Sequence, residues 1–326
     1  MSLPQPPTPA DNNTPAKSSP DASTSGAGLT RRERLELDVH VDREARQTLR
    51  RVQAHVVQAA EALGAQHDTL GMVETVCHPA NALSTLNYVL PRQKTAWVPA
   101  AQVEQGLDYL TEQGRRPRVI YIEGLMPARF ARTLVDLDLE VERETPIMIY
   151  QADETPTPPA TLPYDVRMAV VDDVRTAEVW WYTWQNAYYD VFTLGVEPIF
   201  VARTHAAARL GNHLDIVFYR ETFPFAAARL TLQGNTAHLV GVAVFREMRT
   251  PALTRWLHQQ ALHAALERGC DLVFAPGSDE IERENLRNLG FVDFGSLVCY
   301  AAKTEKRANG KTHDAKPLVQ PILNLR

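Results

Sequence analysis

The stretch Val242-Ala243-Val244-Phe245-Arg246-Glu247-Met248-Arg249-Thr250-Pro251-Ala252-Leu253-Thr254 decides how this chain folds. It closes a run, 236–245, whose alternation predicts a strand. Thr250-Pro251 then reads as a helix start, a capping hydroxyl followed by proline at the first helical position. Leu253, Leu257, Ala261, Ala264 and Ala265 recur on one face, and Gly269 stands where a helix over 252–268 would end. A strand feeding a helix through a short loop aims unpaired amides and a partial positive charge at whatever lies beyond the strand.

Outward from that stretch, the second half alternates strand and helix signals. Residues 165–171 read as a short strand and 174 onward as helix. Runs 214–220, 225–232 and 236–245 read as strands, the last two joined at Gln233-Gly234-Asn235, a hairpin signal. Residues 271–276 form a short buried-type strand. A helix over 278–289, with Ser278 as its cap, stops at Gly290, and 291–301 closes the half in strand. The order β-α-α-β-β-β-α-β-α-β predicts a mixed, mostly antiparallel sheet flanked by helices.

With Asn285-Leu286-Arg287-Asn288-Leu289-Gly290-Phe291 downstream, these residues resemble the GNAT superfamily of N-acetyltransferases over about 140 residues. That family shows a strand ending in Val-x-Pro-x-x-Arg, then Gly-x-Gly-x-Gly/Ala opening a helix, and a closing Tyr-x-x-Leu-Gly-Phe. The resemblance implies an acyl-CoA co-substrate such as acetyl-CoA, with Val242 and Val244 along its pantetheine arm. Its pyrophosphate would lie against Arg249, Thr250, Ala252, Leu253 and Thr254. The departures from that pattern matter here. Thr250 and Ala252 stand at two glycine positions, Thr254 at the last, and Pro251 has no N–H to offer. Leu286 occupies the place of the tyrosine that protonates the leaving thiolate in many members.

Transfer from a thioester to an amine needs a deprotonated amine, a stabilised oxyanion and a protonated thiolate. His238 lies six residues before Val244, which in a regular strand puts both on one face, so imidazole is the candidate base; a structural histidine is the competing reading. Trp181, Trp184 and Tyr188, in the aromatic run 179–192, are candidates for the acceptor wall, where rings suit an apolar or cationic amine. The same rings could instead form core or a domain or homodimer interface.

The first half repeats part of this pattern. A helix is expected over 43–63, strands over 72–77, 83–89 and 118–123, and helices over 102–113 and 127–137. The run 139–150, interrupted by Pro146, ends it. It resembles a degenerate GNAT copy without a phosphate loop, giving two such domains in tandem, 31–154 and 164–302. Between them lies a Pro/Thr-rich linker, 155–163, and the polar tails 1–30 and 303–326 flank them.

Composition sets the outer bounds. The 326 residues carry a net charge of −5, giving no global pull toward nucleic acid. Three dispersed cysteines offer neither a disulfide framework nor a metal site. There is no apolar run near about 18 residues and no secretory signal pattern, so a cytoplasmic protein without a membrane span is expected. The expected function is N-acylation of a small-molecule or protein amine; a tandem GNAT scaffold without catalysis is the alternative.

Overall fold

The computed structural model describes residues 43–152 and 165–303. The expected linker, the tail 1–30 and nearly all of the tail 303–326 lie outside the described residues. In the first half the elements are α1 (Arg43–Ala62), β1 (Gln66–Leu70), β2 (Val73–Cys77), β3 (Asn87–Pro91), α2 (Ala100–Glu112), β4 (Arg118–Ile122), α3 (Ala128–Asp136) and β5 (Leu139–Gln151). The second half runs β6 (Val166–Val170), α4 (Val174–Tyr189), α5 (Pro198–Arg209), β7 (His213–Arg220), β8 (Phe223–Gln233), β9 (Thr236–Val244), α6 (Pro251–Glu267), β10 (Leu272–Pro276), α7 (Glu280–Arg287) and β11 (Val292–Ala302). The second half keeps the expected order of elements, and the mixed, mostly antiparallel fold is as expected.

All eleven strands join one sheet in the order β1-β2-β3-β4-β11-β5-β10-β9-β8-β7-β6. The last strand of each half crosses to the other. Strand β5 pairs antiparallel with β10 through Ile147–Gln151, and β11 pairs antiparallel with β4 through Leu297–Ala301. The two exchanged strands also pair with each other. The two parallel contacts, β3 with β4 and β9 with β10, occupy equivalent places in the halves. Both are short. Strands β3 and β4 meet at Val89↔Val119 alone, whereas β9 and β10 meet from Thr236↔Leu272 to His238↔Phe274 and then part.

Pro146 does not break β5. The β11 pairing shifts register between Asp293 and Ser296, opposite Pro146, and the β10 pairing begins only at Ile147. The missing N–H therefore falls where the ladder makes no demand on it, while Pro146 O accepts from Gly277 N at 3.1 Å. The hairpin turn signalled at Gln233-Gly234-Asn235 is present, with Gly234 at φ 51°.

Helix α6 covers one face of β7–β9 through Leu257, Ala261 and Ala265, against Ile216, Ala228 and Leu239. Helices α4 and α5 cover the other face, Trp180 and Trp184 against Val217, Ala227 and Ala243. Helix α1 bridges the halves: Leu49 and Val52 pack on Ile147 and Ile149 of β5 and on Leu272 and Phe274 of β10. Helix α2 lies close on β3, because a Cβ at Gly106 would stand 2.8 Å from Val89 Cγ1.

Candidate active site

Beyond His238, β9 loses β10, and its edge from Leu239 to Val244 faces a wedge rather than a neighbouring strand. Strand β9 also carries a bulge. Arg229 of β8 pairs with Gly241 and Leu230 with Leu239, so Val240 is the extra residue. The bulge corrects the expectation that His238 shares a face with Val244. Val242 and Val244 face α6 and its core. His238 falls on the opposite face, with Gly241 and Ala243. Period-2 counting across a bulge gives the wrong side.

His238 is enclosed under α1. Its ring stacks on Phe274 with centroids 4.5 Å apart, and His55 of α1 meets it edge-on at 6.0 Å. His55 Nε2 shares a hydrogen bond with Thr231 Oγ1 at 2.8 Å. Burial, and then His55, hold the His238 imidazole down to about 3, and burial holds His55 at about 4. Both are neutral at pH 7 and poor proton acceptors there.

The sign of the pH effect follows. Unfolded, these imidazoles titrate near about 6.5, so below that pH the unfolded chain binds protons the fold refuses. Stability is therefore expected to fall as pH drops from about 6.5 toward 4, by about 1.4 kcal/mol per pH unit for each imidazole held neutral. Denaturant midpoints at pH 7, 6 and 5 measure this. A flat profile would show that the buried pair is not a cost to protonate.

At the α6 start, Thr250 Oγ1 accepts from Leu253 N at 3.2 Å, Pro251 stands at the first helical position, and Thr254 N donates to Thr250 O at 2.9 Å. This leaves the Ala252 N–H as the first-turn donor for an anion. Arg249 is engaged elsewhere. Its guanidinium donates to Val244 O and Ala187 O, both at 3.0 Å, and pairs with Asp190 at 2.8 Å, tying the α4 C-terminus to the end of β9.

Of the three aromatic candidates, Trp184 is fully buried and Trp181 nearly so. Trp181 Nε1 donates to Phe200 O at 2.8 Å and Thr204 Oγ1 at 2.7 Å, so the ring joins α4 to α5. Trp184 is sandwiched between Trp180 and Tyr188, at 5.0 and 5.2 Å, on one face of α4. Tyr188 ends that stack half-buried, and burial lifts its phenol to about 12, with Tyr189 and Glu282 adding to the rise.

Glu282 is the residue that sequence reading missed. It sits one turn before buried Leu286, on the same face of α7, and its charge adds to the rise of the Tyr188 phenol. Burial raises its carboxyl above the usual carboxylate range, although it accepts from Ser278 N at 3.0 Å. Asp279, not Ser278, is the helix cap, its side chain accepting from Glu282 N at 2.8 Å. The spacing Asp279-x-x-Glu282 is a capping-box signal, but nothing local in the sequence ties it to Tyr188. Among the described residues there is no cluster of His, Cys, Asp or Glu suited to a metal ion.

Comparison with solved structures matches the chain to a GCN5-related N-acetyltransferase from Kribbella flavida. The identity is 16%, covering 78% of this chain and 96% of that one, with a TM-score of 0.58. It also matches a tandem GNAT protein from the clavulanic acid biosynthesis pathway, at 10% identity over 82% of this chain and 98% of that one, TM-score 0.51. No family model and no curated protein matches the sequence. At these identities the likeness is one of fold: this chain has the GNAT fold.

Proposed function

We propose that this chain, built on the GNAT fold, is an N-acyltransferase that moves an acetyl group from acetyl-CoA to an amine of a small molecule or protein. The parting of β9 from β10 carries this reading, and we assign the proton acceptor to Glu282, whose charge reaches the Tyr188 phenol. An extended thioester arm laid in that wedge would meet backbone groups of Val242 and the N–H of Val244, which no strand occupies on that side; Val244 O is held by Arg249. The amine lone pair attacks the thioester carbon, the N–C bond forms and the C–S bond breaks. The amine proton passes to Glu282 and from there to the departing thiolate, leaving an amide and a thiol. His238, sealed under α1, is left out of this proton path. Tyr188 bounds the acceptor side, with Trp181 and Trp184 supporting it from within the core. A cytoplasmic setting fits the reading, since the three cysteines are free and buried.

The α6 start gives a diphosphate little to hold. A second reading, a scaffold of this fold without catalysis, therefore draws support from the Thr250 cap and the Arg249–Asp190 pair. Thermal-shift titration with acetyl-CoA and with free coenzyme A tests the enzyme. A saturable rise is expected, equivalent to about 2.7 kcal/mol at a hundredfold excess over Kd. No shift at millimolar ligand would sink the acyltransferase reading; a shift without turnover on any amine tried would favour the scaffold.

A further inference from the structure

The first half holds a cleft of its own where β3 and β4 part, and its chemistry differs from that of the second-half wedge. Arg50 of α1 and Arg92 and Lys94 of the loop after β3 line it, with no carboxylate among its described lining residues. None of the three cations forms an ion pair with a described residue. Lys94 adopts φ 68°, a left-handed backbone that a non-glycine residue rarely takes up, and such strain collects where a chain is held against a ligand. Below this rim the walls are apolar: Val56, Leu90, Ile120, Leu125 and Leu297. Leu297 comes from β11, so the exchanged strand of the second half closes the floor. Helix α1 runs along the cleft from Arg50 to Val56, about 9 Å of helix.

We infer that this cleft binds a linear alkyl chain bearing a single anionic head, a carboxylate or a phosphate monoester. The cationic rim and the absence of acidic groups select the head. The walls select the tail. An arm containing amides would need backbone partners along β3, but Pro91 has no N–H and Pro91 O already accepts from Gln53 Nε2 at 2.9 Å. A plain alkyl chain needs neither.

Isothermal titration of the full chain with butyrate, hexanoate, octanoate, decanoate and decyl phosphate tests this. Affinity is expected to rise about fourfold per methylene from hexanoate to decanoate, the equivalent of about 0.8 kcal/mol per CH₂. The double substitution Arg92→Glu with Lys94→Glu, both on exposed side chains, is expected to weaken decanoate at least tenfold. The ratio of decyl phosphate to decanoate affinity identifies the head, and either preference supports the site. The inference is overturned if neither long-chain ligand saturates, if butyrate binds as well as decanoate, or if the double substitution changes nothing. Displacement of decanoate by free coenzyme A would also overturn it, by making the cleft a nucleotide site. Coenzyme binding elsewhere in the chain does not displace decanoate, so this outcome is separate from the fate of the acyltransferase reading.

Discussion

Asp215→Ala is expected to cost about 3–5 kcal/mol of folding stability, the largest single-residue loss in the second half. Asp215 is fully buried and Arg229 is 7% exposed. Their bond is two-pronged, Arg229 Nε to Oδ1 at 2.7 Å and Nη2 to Oδ2 at 2.8 Å. The same guanidinium lies 4.0 Å from the Trp180 ring centre and donates to Thr204 Oγ1 at 3.2 Å. Burial alone would push the Asp215 carboxyl up, yet Arg229, with help from His213, holds it below the usual carboxylate range. Removing the carboxylate leaves a cation with no counter-charge between α4, α5 and the sheet. The denaturant midpoint should fall with little change in slope. Replacing both partners, Asp215→Leu with Arg229→Met, should recover most of the loss, because neither charge is then buried alone. A loss under about 1 kcal/mol for Asp215→Ala would mean that water reaches Arg229.

How far the sequence carries the fold depends on the range of the signal. Thr250 and Pro251 read as a cap and a first helical residue, and α6 begins there with those roles. Gly269, expected to end that helix, lies just beyond it at φ 81°. These are local signals, fixed by the dihedral and hydrogen-bonding habits of a few adjacent residues. The Gln66–Leu70 strand escaped notice because Gln-His-Asp-Thr-Leu is mostly exposed and shows no apolar alternation. The exchange of β5 and β11 was beyond reach for another reason. Its partners are remote in the chain, and an apolar run such as 297–301 suits any central position in a sheet equally well.

The site was less legible than the fold, and the bulge at Val240 shows why. One extra residue in β9 reverses the face of everything before it, so His238 turns from the α6 face, where Val242 and Val244 lie, to the underside of α1. Nothing in Ala237-His238-Leu239-Val240-Gly241 announces that insertion. The aromatic run of α4 was conspicuous, yet conspicuous rings fill cores as readily as pockets; two of the three candidates are core and only Tyr188 is left half-buried. Glu282 was hidden in plain view as a capping residue. Its second property, a carboxyl raised by burial whose charge reaches the Tyr188 phenol, depends on two helices remote in the chain, α7 and α4.

Glu282→Gln is accordingly expected to lower acetyl transfer by roughly 10²–10⁴-fold, the usual worth of a positioned proton acceptor. The substitution is mild for the fold. Glutamine serves in capping boxes as glutamate does, and its carbonyl can still accept from Ser278 N–H, so α7 should keep its start. The acetyl-CoA thermal shift should therefore survive while turnover is lost. The pH profile adds a readout that a structural role would not move. In the native chain the rate should fall on the acid side as pH drops through the raised Glu282 value and the carboxylate becomes protonated. That limb should be missing from the residual activity of Glu282→Gln. Tyr188→Phe should have a smaller effect and leave the acid limb in place, because burial of Glu282, not the phenol, raises its carboxyl. If Glu282→Gln turns over at the native rate with an unchanged profile, Glu282 is a helix cap and no more, and the proton acceptor of this fold must be sought on another element of the wedge.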